Sequence, residues 1–167
     1  MKTVTQEQLK EDLLYDCDTG LFTRRVNANH RFVAGQVAGC MHHTGYILVG
    51  IKKQSYLAHR LAWLYVYGEI PTSQIDHINR IKTDNRISNL RTCDNSNNQA
   101  NIEPKRDGFK GVTKHKCGKF QVQIKCLGVN KYVGLFDDEL SASKAYDKAA
   151  FNLFGDFANL NHRGEAA

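Results

Sequence analysis

The chain has 167 residues, 41% of them hydrophobic, which excludes an intrinsically disordered protein. Its formal charge of +6 is typical of proteins that bind polyanions. The sequence has no apolar run of membrane-spanning length and no signal-peptide core, and its five scattered cysteines form no CxxC pair. We therefore expect a cytoplasmic protein with no disulfide framework and no membrane partner.

The first seventy residues predict a β-rich segment with two helices. The first helix is amphipathic and short, and the second is strongly apolar and ends at Gly68, with Pro71 just beyond it. The strands are short and follow turn residues. In chain order these elements are a helix in EQLKEDLLYD, a turn and strand in DCDTGLFTRR, a strand in TGYILVGI and the apolar helix in SYLAHRLAWLYVYGEIP.

A polar stretch, QIDHINRIKTDNRISNLRTCDNSNNQAN, follows as residues 74–101. QIDH predicts a short strand ending in Asp76 and His77, INRIKTDNR a loop, and ISNLRT a second strand. DNSNNQAN begins with a helix N-cap residue. A long polar turn is one interpretation, because Asn and Asp are turn residues.

A phosphodiester-cleaving site is the other interpretation. A neutral imidazole can take a proton from water, and a hard divalent cation with oxygen ligands can stabilise charge on the phosphate and the leaving oxygen. Mg²⁺ keeps several waters, so few protein ligands suffice. A β-hairpin followed by a helix can bring Asp76, His77 and Asn98 to one point, with Asn89 holding the loop that aims His77.

The segment from His59 to Asn101 resembles the HNH endonuclease family in its ββα-metal form. The pattern HRLAW, IDHIN, DNR, NLR and S-x-N is similar to homing-type HNH proteins of phages. The resemblance implies one divalent metal ion, Mg²⁺ with Mn²⁺ as a substitute, and duplex DNA as substrate. It implies these roles: His77 as general base, Asn89 as organiser of the catalytic loop, Asp76 and Asn98 as metal ligands, and Arg86 and Arg91 as phosphate contacts.

Beyond a boundary near residues 103–107, three strands and a helix are predicted. In KFQVQIK, Phe120, Val122 and Ile124 alternate with polar residues, which favours a strand with one buried face. GVTKH and NKYVGLF predict its neighbours. The helix spans DDELSASKAYDKAAFNLFG, with Asp138 as N-cap and Gly155 at its end. Its predicted apolar stripe consists of Ala142, Ala145, Tyr146, Ala149 and Leu153.

This second region separates its charges. Residues 105–131 hold eight Lys or Arg and one Asp, a net charge of +7, whereas residues 132–167 hold three basic and six acidic residues. Residues 108–161 resemble the plant ethylene-response-factor DNA-binding domain, also called the APETALA-two domain, through GV, GKF, VGLF, AYDKAA and G-x-x-A-x-LN. The resemblance implies a sheet that reads the DNA major groove. The reading face would consist of Lys110, Thr113, His115, Cys117, Gln123, Lys125, Lys131 and Val133.

Each assignment has a structural alternative. Asp76 and His77 could form a metal-free surface turn, and Asn98 could be one of several polar residues that cap the helix. Asn89 could have a purely structural role in a turn. His59 is more typical of a hydrogen-bonded residue on the buried helix than of a metal ligand. The basic sheet could be a solvated face with no partner.

The sequence thus predicts an α+β chain of two modules. Residues 1–103 form an HNH endonuclease domain, with core motif 59–101 and a β-rich N-terminal segment. Residues 104–167 form a small three-stranded antiparallel sheet packed on one helix. The predicted function is metal-dependent, homing-endonuclease-like cleavage of duplex DNA in the cytoplasm of a bacterial or phage-infected cell, with a homodimer for cutting both strands. The rivals are a non-catalytic, sequence-specific DNA-binding regulator and an RNA-binding or RNA-cutting protein.

Overall fold

The computed structural model describes residues 4–27, 33–103 and 108–162. Within these ranges the chain forms four α-helices and eleven strands, in two compact units, Met1–Thr92 and Cys93–Ala167. None of the helices in the described ranges is long and apolar enough to cross a bilayer. The helices are α1 (Gln6–Asp12), α2 (Ala58–Tyr67), α3 (Asn95–Asn101) and α4 (Glu139–Phe154). The strands are β1 (Leu13–Tyr15), β2 (Phe22–Arg24), β3 (Val37–Ala38), β4 (Cys40–Met41), β5 (Ile47–Ile51), β6 (Gln54–Leu57), β7 (Gln74–His77), β8 (Leu90–Cys93), β9 (Val112–Lys114), β10 (Phe120–Cys126) and β11 (Val129–Phe136).

The first unit has one apolar core beneath several small sheets. Two of the sheets are antiparallel and three-stranded, in the orders β1-β2-β3 and β4-β5-β6, and a third pairs β7 with β8. Helices α1 and α2 add their apolar faces to this core. Burial of these side chains is the main force that holds such short strands together. The largest of the fully buried side chains in this core are Leu9, Leu13, Phe22, Val49 and Leu61, each at most 2% exposed.

Helix α2 confirms the predicted apolar helix and its end. Gly68 has a φ of 84°, and its N–H donates to the Leu64 carbonyl at 3.0 Å, which is a left-handed C-cap. The helix begins at Ala58 because the preceding residues extend as β6, where Leu57 is aligned with Leu48 of β5.

The polar stretch forms β7, a polar loop (residues 78–89), β8 and α3 in succession. The loop ends in a 3₁₀ turn, Ile87–Asn89, and the Ile78 N–H donates to the Asn89 carbonyl at 2.9 Å. Helix α3 begins after Asp94, whose carboxylate accepts the Asn97 N–H at 2.7 Å, as the sequence predicted. The order of elements is that of a ββα unit, and its spatial arrangement around a metal stays a prediction.

The second unit contains the predicted antiparallel sheet, in the order β11-β10-β9, with α4 packed against it. Asp138 caps α4 by accepting the Ser141 N–H at 2.7 Å, which confirms the predicted N-cap. Val122 and Ile124 face this helix and are buried, at 0% and 4% exposed. On α4 the buried stripe continues to Ala150 and Phe154 instead of the predicted Ala149 and Leu153. The buried residues follow one another at intervals of four, which keeps them on one face of the helix.

The division between the units lies about ten residues before the predicted one at 103/104, and residues 104–107 lie outside the described ranges. The reason is that α3 packs with the second unit. Ala100 belongs to that unit's core, and the Asn159 N–H donates to the Ala100 carbonyl at 3.1 Å. Lys110 Nζ donates to the carbonyls of Ala100 and Ile102, at 2.5 and 2.7 Å. Where the nuclease module ends in function stays a prediction.

Candidate active site

Asp76 and His77 lie at the end of β7 and are both buried, with exposed fractions of 7% and 4%. Arg91 of β8 holds the Asp76 carboxylate, since its Nε donates to Oδ2 at 3.0 Å and its Nη2 lies 3.0 Å from the same oxygen. A buried carboxylate is costly unless it is paired, so this ion pair allows Asp76 to lie inside the unit. Arg91 therefore has a role within the protein, and its contact with phosphate stays a prediction.

The His77 imidazole lies among other rings, with its centroid 5.2 Å from that of His59 and 6.0 Å from that of Tyr46. Burial lowers the pKa of His77 below its ordinary value, although the Asn85 side chain and the Asp76 charge favour the protonated form. Burial lowers the pKa of His59 further, to about 3. Both rings are therefore neutral at pH 7, and a neutral imidazole is the form that can accept a proton.

The Asn85 carboxamide faces His77 and selects its tautomer. Asn85 is 3% exposed, and its Nδ2 donates to the Thr83 carbonyl at 3.1 Å. Its Oδ1 therefore faces His77, 3.3 Å from Nε2. An amide oxygen can only accept, so this hydrogen-bond network assigns the ring hydrogen to Nε2 and the basic lone pair to Nδ1.

The Asn89 side chain ties together the two arms of the polar loop. It is 7% exposed, and its Nδ2 donates to Asn79 Oδ1 at 3.0 Å and to the Asp84 carbonyl at 2.8 Å. Its Oδ1 accepts the Asn79 N–H at 3.0 Å. Asn79 in turn donates from Nδ2 to Asp84 Oδ2 at 2.6 Å. A loop with little apolar content thus keeps one conformation through its own amide groups.

Arg86 and Asp84 form a charged fork on the outer side of this loop. Arg86 donates from Nε to Oδ1 at 2.8 Å and from Nη2 to Oδ2 at 2.6 Å. This guanidinium is the main reason that the pKa of Asp84 falls to about 2. The Arg86 side chain is 48% exposed, and its predicted contact with phosphate stays a prediction.

Asn98, the other predicted metal ligand, is the fourth residue of α3 and belongs to the second unit. Its side chain is half-buried, and its N–H donates to the Asp94 carbonyl at 3.0 Å. The predicted pairing of Asn98 with Asp76 on one ion stays a prediction.

The exposed face of the second unit's sheet is set by strand register. Residues aligned across antiparallel strands point to the same side. Gln123 is aligned with Tyr132, and Lys125 with Asn130. All four are exposed, which places Gln123 and Lys125 on the outward face that the sequence predicted.

Two predicted members of that face, Lys131 and Val133, point the other way. The register shifts between Val122 and Gln123, so β11 carries an extra residue at Val133, and this side chain packs against the core. Lys131 is aligned with Ile124, whose side chain faces α4. The prediction missed this because strict alternation does not reveal a bulge. Contacts of these residues with DNA stay predictions.

The remaining predicted DNA contacts lie on β9 or just before and after it. Thr113 is exposed on β9, and His115 and Cys117 are exposed in the turn before β10, with His115 Nδ1 3.0 Å from Cys117 Sγ. Lys110 is half-buried, and its ammonium group bonds to carbonyls at the end of α3. Lys110 therefore has a structural role, and its DNA contact stays a prediction.

Comparison with known proteins gives a match for the segment that contains Asp76, His77 and the polar loop. Residues 56–100 match the family model described as HNH endonuclease. This part of the chain, which contains the polar loop, is similar to HNH endonucleases. The chain is also 30% identical over 105 residues to an uncharacterized HNH endonuclease of Acanthamoeba polyphaga mimivirus, a stretch covering 62% of this chain and 56% of the viral protein. Together these likenesses support the prediction of an HNH-type nuclease segment.

A second likeness is to plant proteins. The chain is 46% identical over 55 residues to APETALA2-like protein 2 of Oryza sativa subspecies indica, and equally so to that of subspecies japonica. The matched stretch covers 32% of this chain and 13% of each rice protein, so the chain spans a small part of the rice proteins and about half of the viral one. No solved structure gives a significant match to the chain.

The donor chemistry of the HNH domain fits a hard cation. Asp76 offers carboxylate oxygen, and the polar loop and α3 are rich in amides. Within the described ranges, no group of three or more His, Cys, Asp or Glu side chains lies together. Mg²⁺ does not need such a group, because it binds through few protein oxygens and keeps several of its waters.

Three residues at these sites were missed by the sequence reasoning. Asn85 lies within the quoted DNR element, but its contact with His77 has no sequence signature. Tyr46 lies beside the His77 ring, and Lys82 Nζ lies 4.8 Å from the Tyr46 ring centroid. Tyr132 is 62% exposed on the outward sheet face and could have been found by allowing for a bulge.

Proposed function

We propose that this chain is a metal-dependent endonuclease that hydrolyses phosphodiester bonds in duplex DNA in the manner of homing-type HNH enzymes of phages. One observation carries the proposal. The segment that matches the HNH family contains a buried, neutral His77 beside a buried Asp76 that pairs with Arg91, with the His77 tautomer fixed by Asn85. A surface turn has no need of such burial, because its polar groups would be solvated.

His77 acts as the general base. With the hydrogen on Nε2 bonded to Asn85, Nδ1 can take a proton from the attacking water. After the transfer, Nε2–H still donates to Asn85 Oδ1, and the charge of Asp76 favours the imidazolium. Asn89 acts through the polar loop, since its three hydrogen bonds fix the position of Asp84 and thus of Asn85.

Asp76 and Asn98 would hold one divalent metal ion, Mg²⁺ with Mn²⁺ as a substitute. When bound, such an ion supplies Lewis-acid stabilisation of the negative charge on the phosphate and the leaving oxygen. Arg91 holds the Asp76 carboxylate in one orientation through its hydrogen bond and ion pair. Arg86, whose side chain is 48% exposed on the polar loop, would contact DNA phosphate.

The second unit binds the DNA duplex through the outward face of its sheet. The basic composition of residues 105–131 and the likeness to the rice proteins support this assignment. Gln123 can donate to and accept from adenine in the major groove, and Lys125 can contact guanine or phosphate. A single active site cuts one strand, so cleavage of both strands requires a homodimer or a second binding event.

The test is plasmid nicking by the purified chain with Mg²⁺ and with EDTA. We expect nicked plasmid with Mg²⁺ and intact plasmid with EDTA. A matched pair, His77→Ala and His43→Ala, distinguishes the chain's own activity from a contaminating nuclease, because His43 is exposed and lies outside the polar loop. DNA binding without cleavage under every metal condition would contradict the proposal and favour the non-catalytic regulator.

A further inference from the structure

The β1–β2 hairpin (residues 13–24) lies outside the segment that matches the HNH family and yet contacts the polar loop. Tyr15 of β1 is 5% exposed, and its hydroxyl donates to the Asn85 main-chain carbonyl at 2.7 Å. The Tyr15 ring packs on Phe22 at 4.8 Å and on Tyr65 at 5.6 Å between centroids, which fixes the direction of the hydroxyl. The donor is therefore held by the core of the unit.

The turn of the same hairpin contacts the same loop residue through its backbone. Gly20 has a φ of 73°, and a Cβ built there would lie 2.6 Å from the Asn85 carbonyl carbon and 2.4 Å from the Arg86 nitrogen. Only glycine allows this approach. The turn is itself fixed, because Asp16 accepts the Asp18 N–H at 2.9 Å through Oδ1 and the Gly20 N–H at 2.8 Å through its carbonyl.

We propose that Tyr15 and Gly20 are positioning residues for the HNH reaction, holding Asn85 so that its carboxamide keeps His77 in the Nε2–H tautomer. This inference rests on the proposed function and adds to it a part of the chain outside the matched segment. Tyr15 of the hairpin is hydrogen-bonded to the Asn85 main chain, and the Asn85 side chain is hydrogen-bonded to His77. The hairpin therefore reaches His77 through two direct contacts.

The consequence for catalysis follows from the tautomer. If Asn85 moves away, the His77 ring hydrogen can occupy Nδ1, and the nitrogen that must accept a proton is blocked. Small displacements of catalytic groups reduce rates strongly, by up to about 100-fold for 1 Å. Substrate binding does not depend on which ring nitrogen carries hydrogen, so kcat falls and KM stays.

The test compares Tyr15→Phe with Tyr56→Phe. Both changes remove one hydroxyl from a tyrosine that packs against the core of the first unit, but the Tyr56 hydroxyl bonds to Gln54 and does not reach the polar loop. Plasmid nicking gives kcat and KM, and long-range proton–nitrogen NMR spectra give the His77 tautomer, with its signals identified by their absence in His77→Ala. The spectra require no cleavage.

For Tyr15→Phe we expect a kcat lower by about 10- to 100-fold, an unchanged KM and a mixture of His77 tautomers. For Tyr56→Phe we expect wild-type values and a single Nε2–H tautomer. An unchanged tautomer in Tyr15→Phe overturns the inference, even if its melting temperature or kcat falls, because the hydroxyl would then be only structural. A shifted tautomer in a chain whose wild type does not cleave supports the positioning role and contradicts the proposed function.

A second pair of variants tests the inference independently, in case Tyr15→Phe does not fold. Gly20→Ala and Gly35→Ala both place a side chain at a positive φ, 73° and 85°, but an added Cβ at Gly35 meets no atom within 4 Å. We expect Gly20→Ala to shift the His77 tautomer and Gly35→Ala to leave it unchanged. Equal behaviour of the two variants overturns the inference.

Discussion

The polar loop and the outward face of the β9–β11 sheet contain similar side chains in opposite environments. In the loop, Asn85 and Asn89 are 3% and 7% exposed and bond to other protein groups. On the sheet, Tyr132 is 62% exposed, and Asn130 and Lys125 are exposed beside it. Groups that must hold a reacting atom are fixed by burial, whereas groups suited to contact a partner remain solvated. Substitutions in the loop should therefore change rate and stability, and those on the sheet should change affinity.

The largest expected effect comes from His77, beside the polar loop, and concerns the pH dependence of cleavage. The outward sheet face should not contribute to it. Burial lowers the pKa of His77, so its neutral form persists below the ordinary value of about 6.5. The rate should stay high as the pH falls to about 6.5, and then drop about tenfold per pH unit once the pH is below the His77 pKa. A pH–rate profile of plasmid nicking measures this. An acidic limb centred above about 6.5 would contradict the environment described for His77.

Asn89→Ala and Asn130→Ala remove the same side chain from the buried loop and from the exposed sheet face. The first removes three hydrogen bonds from a buried loop and leaves groups of Asn79 and Asp84 without them. We expect the free energy of unfolding to fall by about 1–3 kcal/mol and the cleavage rate by about 10- to 100-fold. Asn130→Ala should alter stability by at most about 0.5 kcal/mol. Urea unfolding and nicking assays on both variants check this, and equal losses would contradict the contrast.

Two fragments test where the second unit begins. Residues 93–167 retain α3, whereas residues 105–167 lose Ala100 from the core and the carbonyls that accept from Lys110. We expect the longer fragment to be more stable by about 1–3 kcal/mol and both to bind duplex DNA without metal. Thermal melts and DNA titrations provide the measurement. Equal stability would place the structural boundary near residue 104.

The smallest expected effect concerns neighbouring residues on β11. Val133 packs against the core and Tyr132 lies outward, so Val133→Ala should reduce the free energy of unfolding by about 1–2 kcal/mol with DNA affinity unchanged. Tyr132→Ala should leave the melting temperature unchanged and weaken DNA binding by about tenfold, or roughly 1.4 kcal/mol. The reverse pattern would mean that the bulge is misplaced.

Much of the fold could be predicted from signals that are local in the sequence. The α2 helix with its Gly68 cap, the Asp94 and Asp138 caps and the alternation in β10 all depend on residues close in sequence, and the structure confirms them. The bulge at Val133 depends on the partner strand, and periodicity could not show it. The packing of Ala100 depends on contacts far along the chain, so a composition change near residues 103–107 could not reveal that α3 packs with the second unit.

The candidate site shows the same limit. The chemistry of Asp76 and His77 could be read from residue types and from the family pattern. Their burial and the Arg91 ion pair depend on tertiary packing. The contact of Asn85 with Tyr15 joins residues 70 positions apart, so no local pattern could reveal it.

Nicking rates of wild type, His77→Ala and Asp76→Ala across a Mg²⁺ titration test the claim that His77 is the base of a metal-dependent nuclease. We expect His77→Ala to be slower by about 10²–10⁴ at every metal concentration, because metal cannot replace the proton acceptor. Asp76→Ala should recover part of its activity as Mg²⁺ rises, because its defect is in metal affinity. Full activity of His77→Ala, its rescue by metal, or wild-type cleavage undiminished in EDTA would contradict the claim.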